Sequence, residues 1–124
     1  MPHCILEISS NVHDPFDQAK FFSVLHKIVS AGGEIALEKI KSRVVWQESY
    51  HIGDGDSKNA FIYLQISLLS GRPLELRNLI ARQAIELLRE FFPQAISDLK
   101  CSVTVEIREI DRTTHISLKE ILES

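Results

Sequence analysis

Twice along this chain an apolar pattern of period two gives way to a stripe of period 3.6 and then returns to period two, and that order leaves few folds open. Cys4, Leu6 and Ile8 alternate with His3 and Glu7, with Ile5 as the exception, so residues 3–9 read as a mostly buried strand. Asp14-Pro15 reads as an N-cap and first-turn proline, Phe21, Val24, Leu25 and Ile28 follow at helical spacing, and Gly32-Gly33 ends the helix. After Ile35, Leu37 and Ile40 a strand runs from about Ser42 to Tyr50, with Val44, Trp46 and Tyr50 on one face and Arg43, Gln47 and Ser49 on the other.

The second round follows the turn signal Gly53-Asp54-Gly55-Asp56. Ala60, Ile62, Leu64, Ile66 and Leu68 share one face of a strand from Asn59 to Leu69. Pro73 opens a helix whose stripe is Leu76, Leu79, Ile80, Ala84, Leu87, Leu88 and Phe91, and which stops before Pro93. The last strand spans about Cys101 to Ile110, with Val103, Val105 and Ile107 alternating against Ser102, Thr104, Glu106 and Arg108.

The order is β-α-β-β-α-β. A helix over residues 73–92 is roughly 30 Å long at 1.5 Å per residue, and a ten-residue strand is roughly 33 Å. Each helix can therefore cover its sheet from end to end. The expected architecture is an α+β two-layer sandwich, with a four-stranded sheet and two helices on one face, in one domain over residues 1–124. The other face carries Phe61 and Tyr63 and is left for solvent or another subunit. Tautomerase-like and ferredoxin-like folds share this element order, and the pattern does not separate them. Ser117 with Glu120 forms a capping box and Ile116 with Ile121 a staple, so a short C-terminal helix is expected. It is too short to stand alone and should dock on the body or on a neighbour.

Composition excludes several classes of function. A net charge of −3 gives no basic field, so nucleic acid is a poor partner. No apolar run approaches the roughly 20 residues that span a bilayer, and no basic-then-apolar leader opens the sequence. Cys4 and Cys101 belong to no CxxC or Cys/His cluster, and His3, His13, His26, His51 and His115 show no ligand spacing on a shared helix face. No metal or cofactor is expected, and a reducing cytoplasm is the expected location. No Ser-His-Asp arrangement, P-loop or dinucleotide fingerprint is present, and Asp54 and Asp56 read as turn residues.

Three features carry chemistry. Pro2 becomes the mature N-terminus if Met1 is removed, as aminopeptidases normally do before proline. A terminal proline is a secondary amine and accepts a proton, whereas behind a retained Met1 its nitrogen would be an amide. An α-amino group has a pKa of about 8. Burial and nearby cations disfavour its charged form and move it toward the value a general base needs at neutral pH. Arg72 precedes Pro73, and if Pro73 is the first helical residue then Arg72 holds the N-cap, where a cation opposes the helix dipole. An anion there would gain both a guanidinium fork and the helix N-terminus; the plainer reading is a surface arginine beside a cap at Ser70. Lys41 and Arg43 bracket Ser42 and share one face of their strand, as a carboxylate site or as a solvated edge. His3 fits a pocket rim or a structural role, and Glu7 and Glu106 are placed to pair with arginines.

These pieces, taken in order, resemble a known family. The opening Met1-Pro2-His3 with Glu7, Ser9 and Asn11 is similar to the start of 5-carboxymethyl-2-hydroxymuconate isomerases. The likeness continues in residues 40–46 (Ile-Lys-Ser-Arg-Val-Val-Trp), in Asp54-Gly55 with Ala60-Phe61, in residues 71–77 (Gly-Arg-Pro-Leu-Glu-Leu-Arg), and in residues 105–109 (Val-Glu-Ile-Arg-Glu). The resemblance implies a tautomerase-like fold, a trimer whose sheets form a barrel with helices outside, and an N-terminal proline as base. It implies proton transfer on a dienol tricarboxylate from homoprotocatechuate degradation, with no cofactor. By the same resemblance Pro2 shuttles the proton, Arg72 holds a substrate carboxylate, and Arg43 and Lys41 add positive charge. Arginine is expected at the position of Lys41, and lysine cannot make the bidentate fork. A different di- or tricarboxylate substrate is the alternative, as is a non-catalytic trimeric binding protein should Met1 be retained.

Overall fold

The computed structural model describes residues 2–31 and 35–124. Met1 and the helix stop expected at Gly32-Gly33 lie outside the described residues. Strands β1 (His3–Ser9), β2 (Lys41–Gln47), β3 (Asn59–Leu69) and β4 (Lys100–Ile110) form one sheet in the order β2-β1-β3-β4. Helix α1 (Gln18–Ala31) joins the parallel neighbours β1 and β2, and α2 (Leu74–Phe91) joins the parallel neighbours β3 and β4. The two units meet antiparallel where β1 lies against β3, with Leu6 opposite Leu64. That pairing settles what the pattern left open. In a split, ferredoxin-like arrangement a strand of the other unit would separate the parallel partners. Here each strand–helix–strand unit keeps its strands adjacent, which is the tautomerase-like topology.

The alternation read from sequence becomes two faces. Ala60, Ile62, Leu64, Ile66 and Leu68 have no exposure, while the residues between them are partly exposed. With Cys4, Leu6 and Ile8 they pack under Leu25 and Val29 of α1 and Ile80, Ala84 and Leu88 of α2. Each leucine, isoleucine or valine among them contributes roughly 1.5–3 kcal/mol on burial. Phe16, Phe21, Phe91 and Phe92 close one end of the helix layer, with Phe16 and Phe92 stacked at a 5.1 Å centroid separation.

Several boundaries differ from the sequence reading, each for a local reason. Helix α1 begins at Gln18 rather than at Pro15, because the Asp17 carboxylate accepts the Lys20 N–H at 3.1 Å. Asp14 instead accepts the Gln94 and Ala95 N–H groups at 2.8 and 2.9 Å. Those donors open α3 (Pro93–Asp98), a helix absent from the sequence reading, in which Pro93 sits in the first turn after α2 has ended, as expected, before it. Strand β2 stops at Gln47, so Tyr50 lies beyond it, and β4 starts at Lys100. The short helix α4 (Leu118–Glu123) is present with Ser117 accepting the Glu120 N–H at 3.2 Å, but Ile116 and Ile121 are both exposed.

Candidate active site

The topology gathers the candidate residues at one end of the sheet. Strands β1 and β2 begin there and β3 and β4 end there, since His3 pairs with both Lys41 and Ser67, and Leu69 pairs with Ile110. Pro2 is buried, and its carbonyl accepts the Lys41 N–H at 3.1 Å. His3, Lys41 and Arg43 follow the register onto the face away from the helices, where an Arg43 Nη1–H group lies 3.2 Å from His3 Nδ1. Lys41 Nζ donates to the Lys39 carbonyl at 2.9 Å. Arg72 lies beyond the end of β3 on the turn into α2, half-buried.

The cap geometry at Arg72 departs from the expectation by one residue. Pro73 is the N-cap of α2, so Arg72 precedes the cap. Pro73 adopts extended backbone and supplies neither an N–H nor a capping oxygen, and Gly71 has φ +111°, a conformation that favours glycine. The turn is braced from both sides. Arg77 Nε donates to the Arg72 carbonyl at 3.1 Å, and Arg112 Nε donates to the Ser70 carbonyl at 3.0 Å. Arg112 stands in the 3-10 turn Arg112–Thr114 that leaves β4.

The electrostatics follow from this crowding. The His3 imidazole titrates below its ordinary value, first because it is partly buried, then because of Arg43, Lys41 and His115. A neutral His3 can accept the Arg43 hydrogen at Nδ1. Just inside, Cys4 is buried on the helix face and its thiol is pushed up to about 11 by desolvation, against a smaller opposing effect of its hydrogen bond with Ser42. The same Ser42 Oγ is 2.6 Å from His26 Nε2. A thiol so raised stays protonated at neutral pH and is no nucleophile. On the open face Glu106 pairs with Arg108 at 3.2 Å and takes a hydrogen bond from Tyr63, whereas Glu7 is met by Gln47 rather than by an arginine. Asp54 and Asp56 are turn residues, each accepting the backbone N–H two positions on.

The sequence assigns no role to Arg77, Arg112 or His115. Arg77 reads as a charge beside the apolar stripe of its helix, and only the strand register shows that it reaches Glu109, at 3.4 Å. Beside this corner is a cleft of about 510 Å³ lined by Lys39, Leu69, His115, Ser117 and Glu120. The larger groove, about 610 Å³, runs between α1 and α2 and contains none of the candidate residues.

Comparison with known proteins decides the family. A sequence model of the family described as 5-carboxymethyl-2-hydroxymuconate isomerase matches residues 2–123. The chain belongs to that family. Among its relatives, the Escherichia coli 5-carboxymethyl-2-hydroxymuconate Delta-isomerase is 26% identical over 121 residues, which cover 98% of this chain and 96% of that one. A 5-carboxymethyl-2-hydroxymuconate isomerase from Deinococcus radiodurans R1 has the same fold, with a TM-score of 0.84 at 20% identity over 94% of this chain and 87% of that one. The fold is also that of a fused 4-OT wild type symmetric trimer, with a TM-score of 0.73 at 17% identity over 94% and 91% of the two chains. Members of the 5-carboxymethyl-2-hydroxymuconate isomerase family are isomerases, and this chain is placed in that class of enzyme.

Proposed function

We propose that this isomerase moves a proton on a dienol di- or tricarboxylate, with Pro2 as general base and Arg72, Arg43 and Lys41 as the cations that hold the substrate's carboxylates. What carries the reading is that a buried Pro2, Lys41 and Arg43 lie at the same end of the sheet as the turn bearing Arg72, in a chain of this family. The free amine removes the enol proton, and the electron pair moves through the conjugated system. A proton is then returned at carbon, so a C=C bond shifts and O–H becomes C=O with no net redox change. Burial and the cations near Pro2 favour its neutral form. The same positive charge stabilises the dienolate that forms between the two proton transfers.

On this reading the substrate is 5-carboxymethyl-2-hydroxymuconate, met in the breakdown of homoprotocatechuate, and the enzyme works without a cofactor in the cytoplasm. Among the described residues no helix is long and apolar enough to cross a membrane. The working form is a homotrimer, supported by the fused 4-OT relative of like fold having been solved as a trimer. A second reading keeps Pro2 and changes the substrate to another oxo or enol acid. It draws on Lys41, whose ammonium cannot replace a guanidinium fork on a carboxylate.

The test is a pH–rate profile on enol substrates bearing one, two and three carboxylates, with the mature protein and with Pro2→Ala. The expected result is a loss of about 10²–10⁴-fold in kcat for Pro2→Ala and a preference for the tricarboxylate. An undiminished rate in Pro2→Ala overturns the mechanism, and equal rates across the three substrates overturn the tricarboxylate reading.

A further inference from the structure

We infer that Arg77 is a positioning residue for Arg72, acting through the turn that carries it; the inference rests on the reading above, in which Arg72 holds a substrate carboxylate. Arg77 lies in the first turn of α2, where its backbone N–H bonds the Pro73 carbonyl at 3.2 Å. Its side chain does not extend into solvent like most helix-surface arginines, and only 27% of it is exposed. It folds back over the helix start, placing Nε 3.1 Å from the Arg72 carbonyl and Nη1 3.4 Å from Glu109 Oε1 on β4.

The turn needs such a brace because the usual local device is missing. Among the described residues no side chain caps α2, Pro73 has no N–H, and the residue before Arg72 is a glycine at positive φ, the residue type whose backbone is least restricted. One guanidinium joins three elements here, tying the turn before α2 to the end of β4. With the Arg72 carbonyl held, the peptide plane that follows the Arg72 Cα is fixed, which restricts ψ there and so the direction in which the Cα–Cβ bond leaves the turn. A lysine at position 77 has a single nitrogen and cannot serve the Arg72 carbonyl through Nε and the Glu109 carboxylate through Nη1 together. Arg112 holds the same turn from its other end through Ser70, so loss of Arg77 should loosen Arg72 without unfolding the corner.

The distinguishing experiment is a double-mutant cycle. Arg77→Met, Arg77→Lys and Glu109→Gln are each made with Arg72 present and with Arg72→Ala. Each protein is assayed for kcat and KM on the tricarboxylate dienol, for the Kd of unreactive tricarballylate by calorimetry, and for its urea midpoint. With Arg72 present, Arg77→Met should raise KM and Kd by about tenfold while kcat stays within about twofold. Arg77→Lys should resemble Arg77→Met rather than the parent, and Glu109→Gln should show a smaller effect of the same sign. In the Arg72→Ala background all three should change KM and Kd by less than about twofold. Equal penalties in both backgrounds, or a lysine that restores binding, would overturn the positioning role. A large Arg72→Ala effect with a silent Arg77→Met would overturn it too and leave the proposed function standing. An Arg72→Ala protein with unchanged KM and Kd would defeat the reading on which the inference rests. If Arg77→Met does not fold, Glu109→Gln in the two backgrounds decides the question alone.

Discussion

His3 and His26 approach the start of the sheet from opposite faces, and burial lowers the pKa of both. For His26 burial is the cause, and its Nε2 is held 2.6 Å from Ser42 Oγ; for His3 burial acts together with Arg43, Lys41 and His115. The sign of the pH dependence follows. Each folded-state pKa lies below the ordinary value of 6.5, so as pH falls the unfolded chain takes up its protons first. The stability that depends on neutral imidazoles is complete above about pH 6.5 and is lost as pH drops through the lower folded-state values. The urea midpoint should therefore decline as pH falls below that point. His26→Gln and His3→Gln should each make the decline shallower, and the double variant shallower still. A double variant with the same slope as the parent would show that other groups govern this limb. Both residues are partly exposed, so the slope is the observable and not a large energy.

At the level of elements, the least local contact is the one most open to test. Asp14 is buried to 6% exposure, and its two oxygens accept the first free N–H groups of α3, about eighty residues away in sequence. The carboxylate also lies at the positive end of that helix. Asp14→Ala should cost about 1–2 kcal/mol of unfolding free energy, as the loss of a good N-cap does. The check is a lower urea midpoint with an unchanged slope, and a cost below about 0.5 kcal/mol would assign the cap no weight. This contact also shows how far the sequence could be read. Period-two runs such as Ala60 to Leu68 placed the strands to within a few residues, because burial on one face dictates the side chains there. Asp14-Pro15 read as the cap of the nearest helix, because sequence shows near neighbours only. Pro93 read as the stop of α2, which does end at Phe91, but not as the start of the next helix, although proline serves well in a first turn. Arg72 stood out as a cation at an expected helix cap, whereas Pro2 and the pair Lys41 and Arg43 each had an ordinary reading beside the functional one. Their convergence depends on strand order, and Arg77 and Arg112 gain meaning only once Glu109 and Ser70 are placed beside them.

For the whole molecule, the question is what covers the surface that one chain leaves open. Strands β2 and β4 are the edges of the sheet, and unpaired edges invite pairing with another chain. The face away from the helices presents Ile5, Phe61 and Tyr63 only partly covered. Helix α4 buries none of its residues, and Ile116, Leu118, Ile121 and Leu122 around it are 59–74% exposed. A helix of this length has little stability of its own, so its apolar side chains gain by leaving water against a second surface. The proposed trimer supplies that surface, and linkage then makes stability depend on concentration. The thermal midpoint should rise over about a hundredfold increase in protein concentration, and sedimentation should report the mass of three chains. Leu118→Asp with Leu122→Asp places two charges where the tail would meet its neighbour. It should shift the assembly toward single chains while leaving the far-ultraviolet spectrum of the sandwich intact. An unchanged sedimenting mass would mean that the tail lies outside the interface. A midpoint independent of concentration, with the mass of one chain, would mean that the open face meets only water.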